Sequence, residues 1–230
     1  IKFIGGGRWA TIVVDELALT FPKKKINWLT NRKQIIQLEK MNNIIISSYN
    51  KKQEYSFKTI IASHSTHHCK DLLKNDNGNN HLLIEKPLFP TIAEFENLSN
   101  FDKKRISFNL EFYNAYFIND FYQRIKNTKI NTIKIIWNDP LIEYRTQQEV
   151  KYSEVYSSIF NDQLLHVASI LKKMKINLNN IVNIKTKYNN NGELKIYCKN
   201  NTTSIIISLS RFANKRKRKI LINEKEFELD

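Results

Sequence analysis

Short apolar runs alternate with amphipathic stretches through the first 90 residues. Residues 2–4 read as a strand and 8–19 as a helix, followed by a strand at 26–30 and a helix at 32–41. Apolar runs at 44–48 and 59–62 predict two further strands, 67–74 a helix and 81–84 another strand. Each helical crossover carries the chain back to the end of the sheet where the preceding strand began, so successive strands run in the same direction. The pattern predicts an α/β architecture: an N-terminal Rossmann-type parallel sheet with right-handed crossovers and ligands at the carboxyl ends of its strands.

The rhythm changes in the second half. Residues 106–108 and 132–137 read as strands flanking a helix at 115–126, and 154–174 carry a long helical pattern. Strand-like stretches at 181–188, 193–198, 204–211 and 218–222, divided by Asn- and Gly-rich turns, read as an antiparallel meander. This predicts a second, α+β domain on an open, mostly antiparallel and abbreviated sheet. No proline- or serine-rich linker marks the boundary, which we place so that the domains span 1–100 and 101–230.

Composition narrows the classes. A chain of 230 residues has room for two small cores, and no apolar run approaches the roughly 18–20 residues of a membrane span. Two cysteines far apart, Cys69 and Cys198, lack metal-type spacing and suit a reducing compartment. With no charged leader before the first strand, the expectation is a soluble, cytoplasmic protein. The formal net charge of +15 would attract nucleic acid or a phosphate-bearing small molecule. Lysine is enriched together with Asn and Ile, so part of the excess is compositional drift. The charge concentrates only at Lys215-Arg216-Lys217-Arg218-Lys219. No recognition motif with interleaved aromatics accompanies it, so a phosphate-bearing ligand is favoured over a nucleic-acid surface.

Glycine carries the first chemical signal. The chain has five, and three stand together after the first strand as Gly5-Gly6-Gly7. With Arg8, Trp9 and Ala10 they match the G-x-G-x-x-G/A dinucleotide fingerprint: Gly5 permits the tight turn, Gly7 lets the backbone approach a pyrophosphate, and Ala10 allows helix and sheet to pack closely. The acidic residue that commonly meets the adenine ribose about 20 residues on is replaced by Thr30-Asn31-Arg32-Lys33. A guanidinium beside small polar groups suits a 2′-phosphate, so NADP (NADPH) is favoured, with NAD possible.

Two further motifs follow. Glu85-Lys86-Pro87 ends the strand at 81–84, and proline disfavours helix at Lys86, which places the lysine at the mouth of a parallel sheet. In the second half, Asp162 and His166 stand one helical turn apart, where an imidazole can exchange a proton with a substrate hydroxyl and a carboxylate can orient it.

The fingerprint, then Ala62-Ser63-His64-Ser65-Thr66-His67-His68 opening a helix, then Glu85-Lys86-Pro87 with Thr91 beginning the next helix, resembles the glucose-fructose oxidoreductase / inositol dehydrogenase (Gfo/Idh/MocA) family in order and spacing. The resemblance spans nearly the whole chain. It implies that Lys86 contacts both substrate and nicotinamide, that Ala62, Ser63, His64, His68 and Glu85 border the cofactor, and that His166 is the acid/base group of a segment similar to the family's Asp-x-Gly-x-His. Lys86, Asn109, Asp162 and His166 form the expected substrate set. It further implies a homodimer through the C-terminal sheet, where Lys215, Lys217 and Lys219 along one strand face would set like charges against each other. The chain departs from the family at Leu164 in place of the middle glycine, at Ser157-Ser158-Ile159-Phe160, and at Glu111, where an arginine is common. These changes bear on the substrate, so an imine stands beside a sugar carbonyl or hydroxyl. The alternatives are a nucleotide-binding protein or partner subunit without turnover and, from the charge alone, a nucleic-acid-binding protein.

Overall fold

The computed structural model describes residues 1–31, 41–49, 56, 58–87, 92–96, 102, 104–144, 150–152, 158–190 and 192–229. The chain divides into two compact units, Ile1–Asn109 and Leu110–Asp230.

In the first unit, six parallel strands lie in the order β3-β2-β1-β4-β5-β6: β1 (Lys2–Ile4), β2 (Ile26–Leu29), β3 (Ile44–Ser47), β4 (Lys58–Ile61), β5 (His81–Ile84) and β6 (Ile106–Phe108). Helix α1 (Arg8–Thr20) buries Ala10, Val14 and Ala18, a stripe at four-residue spacing, against Phe3, Ile26 and Trp28. Helix α2 (His68–Asn75), entered through a 3-10 turn at Ser65–His67, packs Cys69 and Leu72 against Ile4, Leu29, Ile61, Leu82 and Ile84. The large apolar side chains among these each contribute about 1.5–3 kcal/mol on burial. A short helix α3 (Ile92–Glu96) follows β5. The strand order reverses between β1 and β4. At such a switch point the crossovers leave to opposite sides and open a crevice beyond the carboxyl ends.

One expectation needs revision here. Strand β6 pairs in parallel with β5, Leu82 facing Ile106 and Ile84 facing Phe108, so it belongs to the first unit and the division falls after Asn109, not at 100. The predicted helix at 32–41, with Arg32 and Lys33, lies almost wholly outside the described residues, as does Thr91.

The second unit holds a six-stranded sheet in the order β10-β11-β12-β7-β13-β14: β7 (Thr132–Pro140), β10 (Ile181–Tyr188), β11 (Glu193–Asn200), β12 (Thr203–Ala213), β13 (Lys217–Ile222) and β14 (Lys225–Glu228). A hairpin of β8 (Ile142–Tyr144) and β9 (Val150–Tyr152) stands separately. Helices α4 (Glu111–Asn114), α5 (Tyr116–Ile125) and α6 (Ile159–Lys173) precede or interrupt the strands. The sheet is mostly antiparallel but is no simple meander, because β7 slots between β12 and β13, parallel to β12 and antiparallel to β13. The burial of β7 explains its central place. Ile133, Ile135 and Trp137 are fully enclosed among Ile205, Ile207, Leu209, Ile220 and Ile222 of its neighbours and Val167, Ile170 and Leu171 of α6. Among the described residues, no helix is long and apolar enough to cross a membrane.

Candidate active site

The carboxyl ends of the first unit's strands gather nearly all of its sequence-predicted site residues. Leaving β1, the backbone turns at Gly5 with φ of 146°, and its N–H donates to the carbonyl of Leu29 at 3.2 Å. A Cβ there would stand 2.3 Å from the carbonyl oxygen of Ala62. The β1 and β4 exits therefore touch backbone to backbone, and only glycine fits. The indole of Trp28 donates to the Gly5 carbonyl at 2.7 Å and holds the turn from below. Gly7 then caps α1 with extended backbone, without a side-chain hydrogen bond and with no acidic residue in the first helical turn. Among the described residues, a Cβ at Gly7 would meet nothing within 4 Å. This is the cradle a pyrophosphate needs: amides at the positive end of a helix, open space before them and no carboxylate to repel the ligand. Ala10 is fully buried, as expected for close packing, whereas Arg8 and Trp9 are exposed.

At the end of β2, Thr30 is buried and its N–H donates to Ser47. The Asn31 Oδ1 accepts from the Ser48 hydroxyl at 3.2 Å and the Tyr49 N–H at 3.1 Å, which binds the β2 and β3 exits together. No carboxylate stands at either residue, and Arg32 lies outside the described residues.

Beyond β4, the Ser63 hydroxyl donates to Asp71 Oδ2 at 2.5 Å, while the Tyr49 hydroxyl donates to the other oxygen of the same carboxylate. Burial first, and the Asp71 carboxylate second, push the Tyr49 phenol well above its usual range. His68 is buried, and its Nε2 lies 2.8 Å from the Ser63 carbonyl oxygen, so it braces this loop from within the fold. His64 is exposed and accepts from the N–H of Thr66 as it opens the 3-10 turn.

After β5, Glu85 is buried. Its N–H donates to Ile61 and its Oε1 accepts from the Asn109 side-chain amide at 2.6 Å. These two predicted site residues thus hold each other across the β5 and β6 exits. Lys86 follows, half-buried, with a cis peptide bond to Pro87.

The second unit carries its own polar cluster where the core face of the sheet meets the start of α6. His166 is 6% exposed. Its ring stacks on Trp137 with centroids 5.1 Å apart and meets Phe112 edge-on at 4.7 Å. The Arg218 guanidinium lies 4.4 Å from the Trp137 ring centre, a favourable cation–π placement. Asp162, one helical turn before His166, also meets a cation. The Asp162 carboxylate faces Arg211 at 3.4 Å, and Arg211 also donates to the Ser158 carbonyl at 2.8 Å. Asp139 receives Arg218 at 2.9 Å and the Gln163 amide at 3.2 Å, with Arg216 at 3.8 Å. Gln163 donates as well to the Ser210 carbonyl. The cluster therefore sets one imidazole on an aromatic floor that Arg218 also covers, and the same unit holds the pairs Arg211–Asp162 and Arg218–Asp139.

Tyr49, Asp71, Trp137, Asp139, Gln163, Arg211 and Arg218 were not anticipated. One signal was present. The inward alternation Ile205, Ile207, Leu209 continues to Arg211, which forces a charge onto a core face and demands a partner there. Asp71, by contrast, sits in a Lys-rich amphipathic stretch and looks like a surface acid.

No protein-family model and no curated protein sequence matches the chain. Solved structures do. A myo-inositol dehydrogenase from Corynebacterium glutamicum superposes with a TM-score of 0.76 at 13% identity, covering 100% of this chain and 74% of that one. The WlbA (WbpB) dehydrogenase from Thermus thermophilus, in complex with NAD and UDP-GlcNAcA, matches at a TM-score of 0.71 and 12% identity over 99% of this chain and 83% of its own. The UDP-N-acetylglucosamine 3-dehydrogenase GnnA from Acidithiobacillus ferrooxidans gives 0.69 at 12% identity, over 96% and 72%. These are dehydrogenases of Gfo/Idh/MocA type, and the chain shares their fold.

Proposed function

We propose that this chain is an NAD(P)-dependent oxidoreductase acting on a small sugar-like or polyol substrate at a carbonyl or hydroxyl carbon, with an imine carbon the other option. The observation that carries the reading is the open Gly5 to Ala10 cradle at the switch point of a parallel sheet, in a fold shared with a dehydrogenase solved with NAD. The nicotinamide, when bound, supplies or takes the hydride. With a dinucleotide bound, Gly5, Gly6, Gly7 and the first amides of α1 would hold the pyrophosphate, Thr30 and Asn31 would meet the adenosine end with Arg32 assigned to its phosphate, and Ala62, Ser63 and His64 would border the cofactor. Lys86 positions the substrate and polarises its reacting group. His166, stacked on Trp137 and edge-on to Phe112, gives or takes the proton. Asp162, one helical turn before His166 and paired with Arg211, tunes it. Following NAD(P)H absorbance across inositols, UDP-sugars and cyclic imines tests the reading. No turnover on any of them, together with no cofactor binding, overturns it.

NADPH is the preferred cofactor in this proposal, because the β2 exit offers no carboxylate at Thr30 or Asn31 to repel a 2′-phosphate. Arg32→Ala should weaken NADPH binding by about 1.5–3 kcal/mol and leave NADH nearly unchanged in calorimetry. Equal loss for both cofactors would show a structural role for Arg32 and remove the preference.

Cys69 and Cys198 are both buried thiols, and a cytoplasmic setting belongs to the same proposal. A homodimer through the open face of the second unit's sheet belongs to the same proposal. The like-charge row expected at Lys215, Lys217 and Lys219 is broken at Lys219. Its amine pairs with Glu226 and, at 3.6 Å, with Glu228 of β14. Salt should therefore change the association only modestly, because short-range opposite charges already screen that edge. Sedimentation showing a monomer at both low and high salt ends the dimer proposal.

A further inference from the structure

Three strand exits of the first unit are tied to one buried carboxylate. Asp71 is 0% exposed, on the second turn of the segment that opens with Ser65–His67. One of its oxygens accepts the Tyr49 hydroxyl from beyond β3 and the other accepts the Ser63 hydroxyl from beyond β4. The Tyr49 N–H in turn donates to Asn31 Oδ1 at the end of β2. Ser63 directly follows Ala62, whose carbonyl presses on Gly5 at the end of β1. A continuous chain of contacts therefore runs from the adenosine end of the cleft, Asn31, to the pyrophosphate turn, Gly5, and passes through Asp71.

A carboxylate with no exposed surface must have its lone pairs answered, and here two hydroxyls from separate loops answer them. Neither loop holds its position by strand pairing, since both lie past the last ladder bonds of β3 and β4. Lys74 lies over the Tyr49 ring at 4.9 Å and covers it from outside. We propose that Asp71 is a positioning residue for the dinucleotide: it sets the spacing between the β2/β3 exit and the β4 exit, and so determines cofactor affinity without touching the reacting atoms. The proposal rests on the NAD(P) reading above.

The test is calorimetric titration of NADH and NADPH into the full chain and its variants, alongside thermal melts and kcat on whichever substrate the panel yields. Tyr49→Phe and Ser63→Ala each remove one hydroxyl with little change of shape. Each should weaken both cofactors by about five-fold, and Asp71→Asn by about ten-fold or more, the scale of hydrogen bonds to a charged group. Because both hydroxyls act through one carboxylate, the double variant should lose less than the product of the two singles. Ser63→Thr, which restores a hydroxyl, should recover affinity, and in Tyr49→Phe, which lies outside the cofactor-bordering set, kcat at saturating cofactor should stay within about two-fold. Should Asp71→Asn fail to fold, the two hydroxyl deletions still decide. Unchanged cofactor affinity in both, or strictly multiplicative losses that follow the melting temperature, overturns the proposal. If the wild-type chain binds neither cofactor, the NAD(P) reading itself falls and this inference with it.

Discussion

His166→Asn should lower kcat by about 10²–10⁴-fold while leaving cofactor affinity within about two-fold, the signature of a lost general acid/base. Asparagine keeps a planar polar group of similar size on the Trp137 floor but cannot exchange a proton near neutral pH. Its cost to packing should be confined to the lost stack with Trp137 and the edge contact with Phe112. A melting temperature within a few degrees of wild type would separate the chemical effect from that cost. Lys86→Ala should reduce turnover at least as much, since a half-buried lysine at the mouth of the sheet serves placement as well as polarisation. If kcat survives in His166→Asn, the proton passes through another group. If cofactor affinity falls in step with kcat, the histidine is holding the fold.

The glycine loop should divide into a structural and a binding position. At Gly5, an added Cβ would lie 2.3 Å from one backbone atom of Ala62 and 2.6 Å from the next, at a φ of 146°. Gly5→Ala should therefore lose about 3 kcal/mol or more in urea denaturation, from overpacking and backbone strain together, with cofactor binding lost alongside. At Gly7 the backbone is ordinary, φ −75°, and the space ahead is empty. Gly7→Val should leave stability within about 0.5 kcal/mol of wild type, as for an exposed site. It should nonetheless abolish NAD(P) binding, because its branched side chain fills the pyrophosphate's approach. Unchanged cofactor affinity in Gly7→Val would take the dinucleotide away from this loop.

Much of the fold was legible in local pattern. Lys2–Ile4, His81–Ile84, Ile106–Phe108 and Ile181–Tyr188 are strands to the residue, because an apolar run bounded by turn residues needs no distant partner to be recognised. The Gly5-Gly6-Gly7 turn could be read in the same way. A φ of 146° and a backbone contact at Gly5 are demands that only one residue type meets, so the demand shows in the sequence itself. Strand β14 and the β8–β9 hairpin escaped notice because they are short, and β14, Lys225-Glu226-Phe227-Glu228, has a single apolar residue to betray it.

By itself, then, the sequence determined the alternating strands and helices, the glycine turn after β1 and the one-turn spacing of Asp162 and His166, since each depends on residues within a few positions of one another. Tertiary structure alone decided who meets whom. It inserted β7 between β12 and β13 because a strand with three fully buried side chains must lie in the middle of a sheet. It drew β6 into the first unit through its pairing with β5. It gave Asp162 to Arg211, Glu85 to Asn109 and Asp71 to Tyr49 across 49, 24 and 22 residues. The burial of a charged or polar side chain obliges it to find a partner, but local periodicity does not say which. That choice is made only when the strand order brings distant segments side by side.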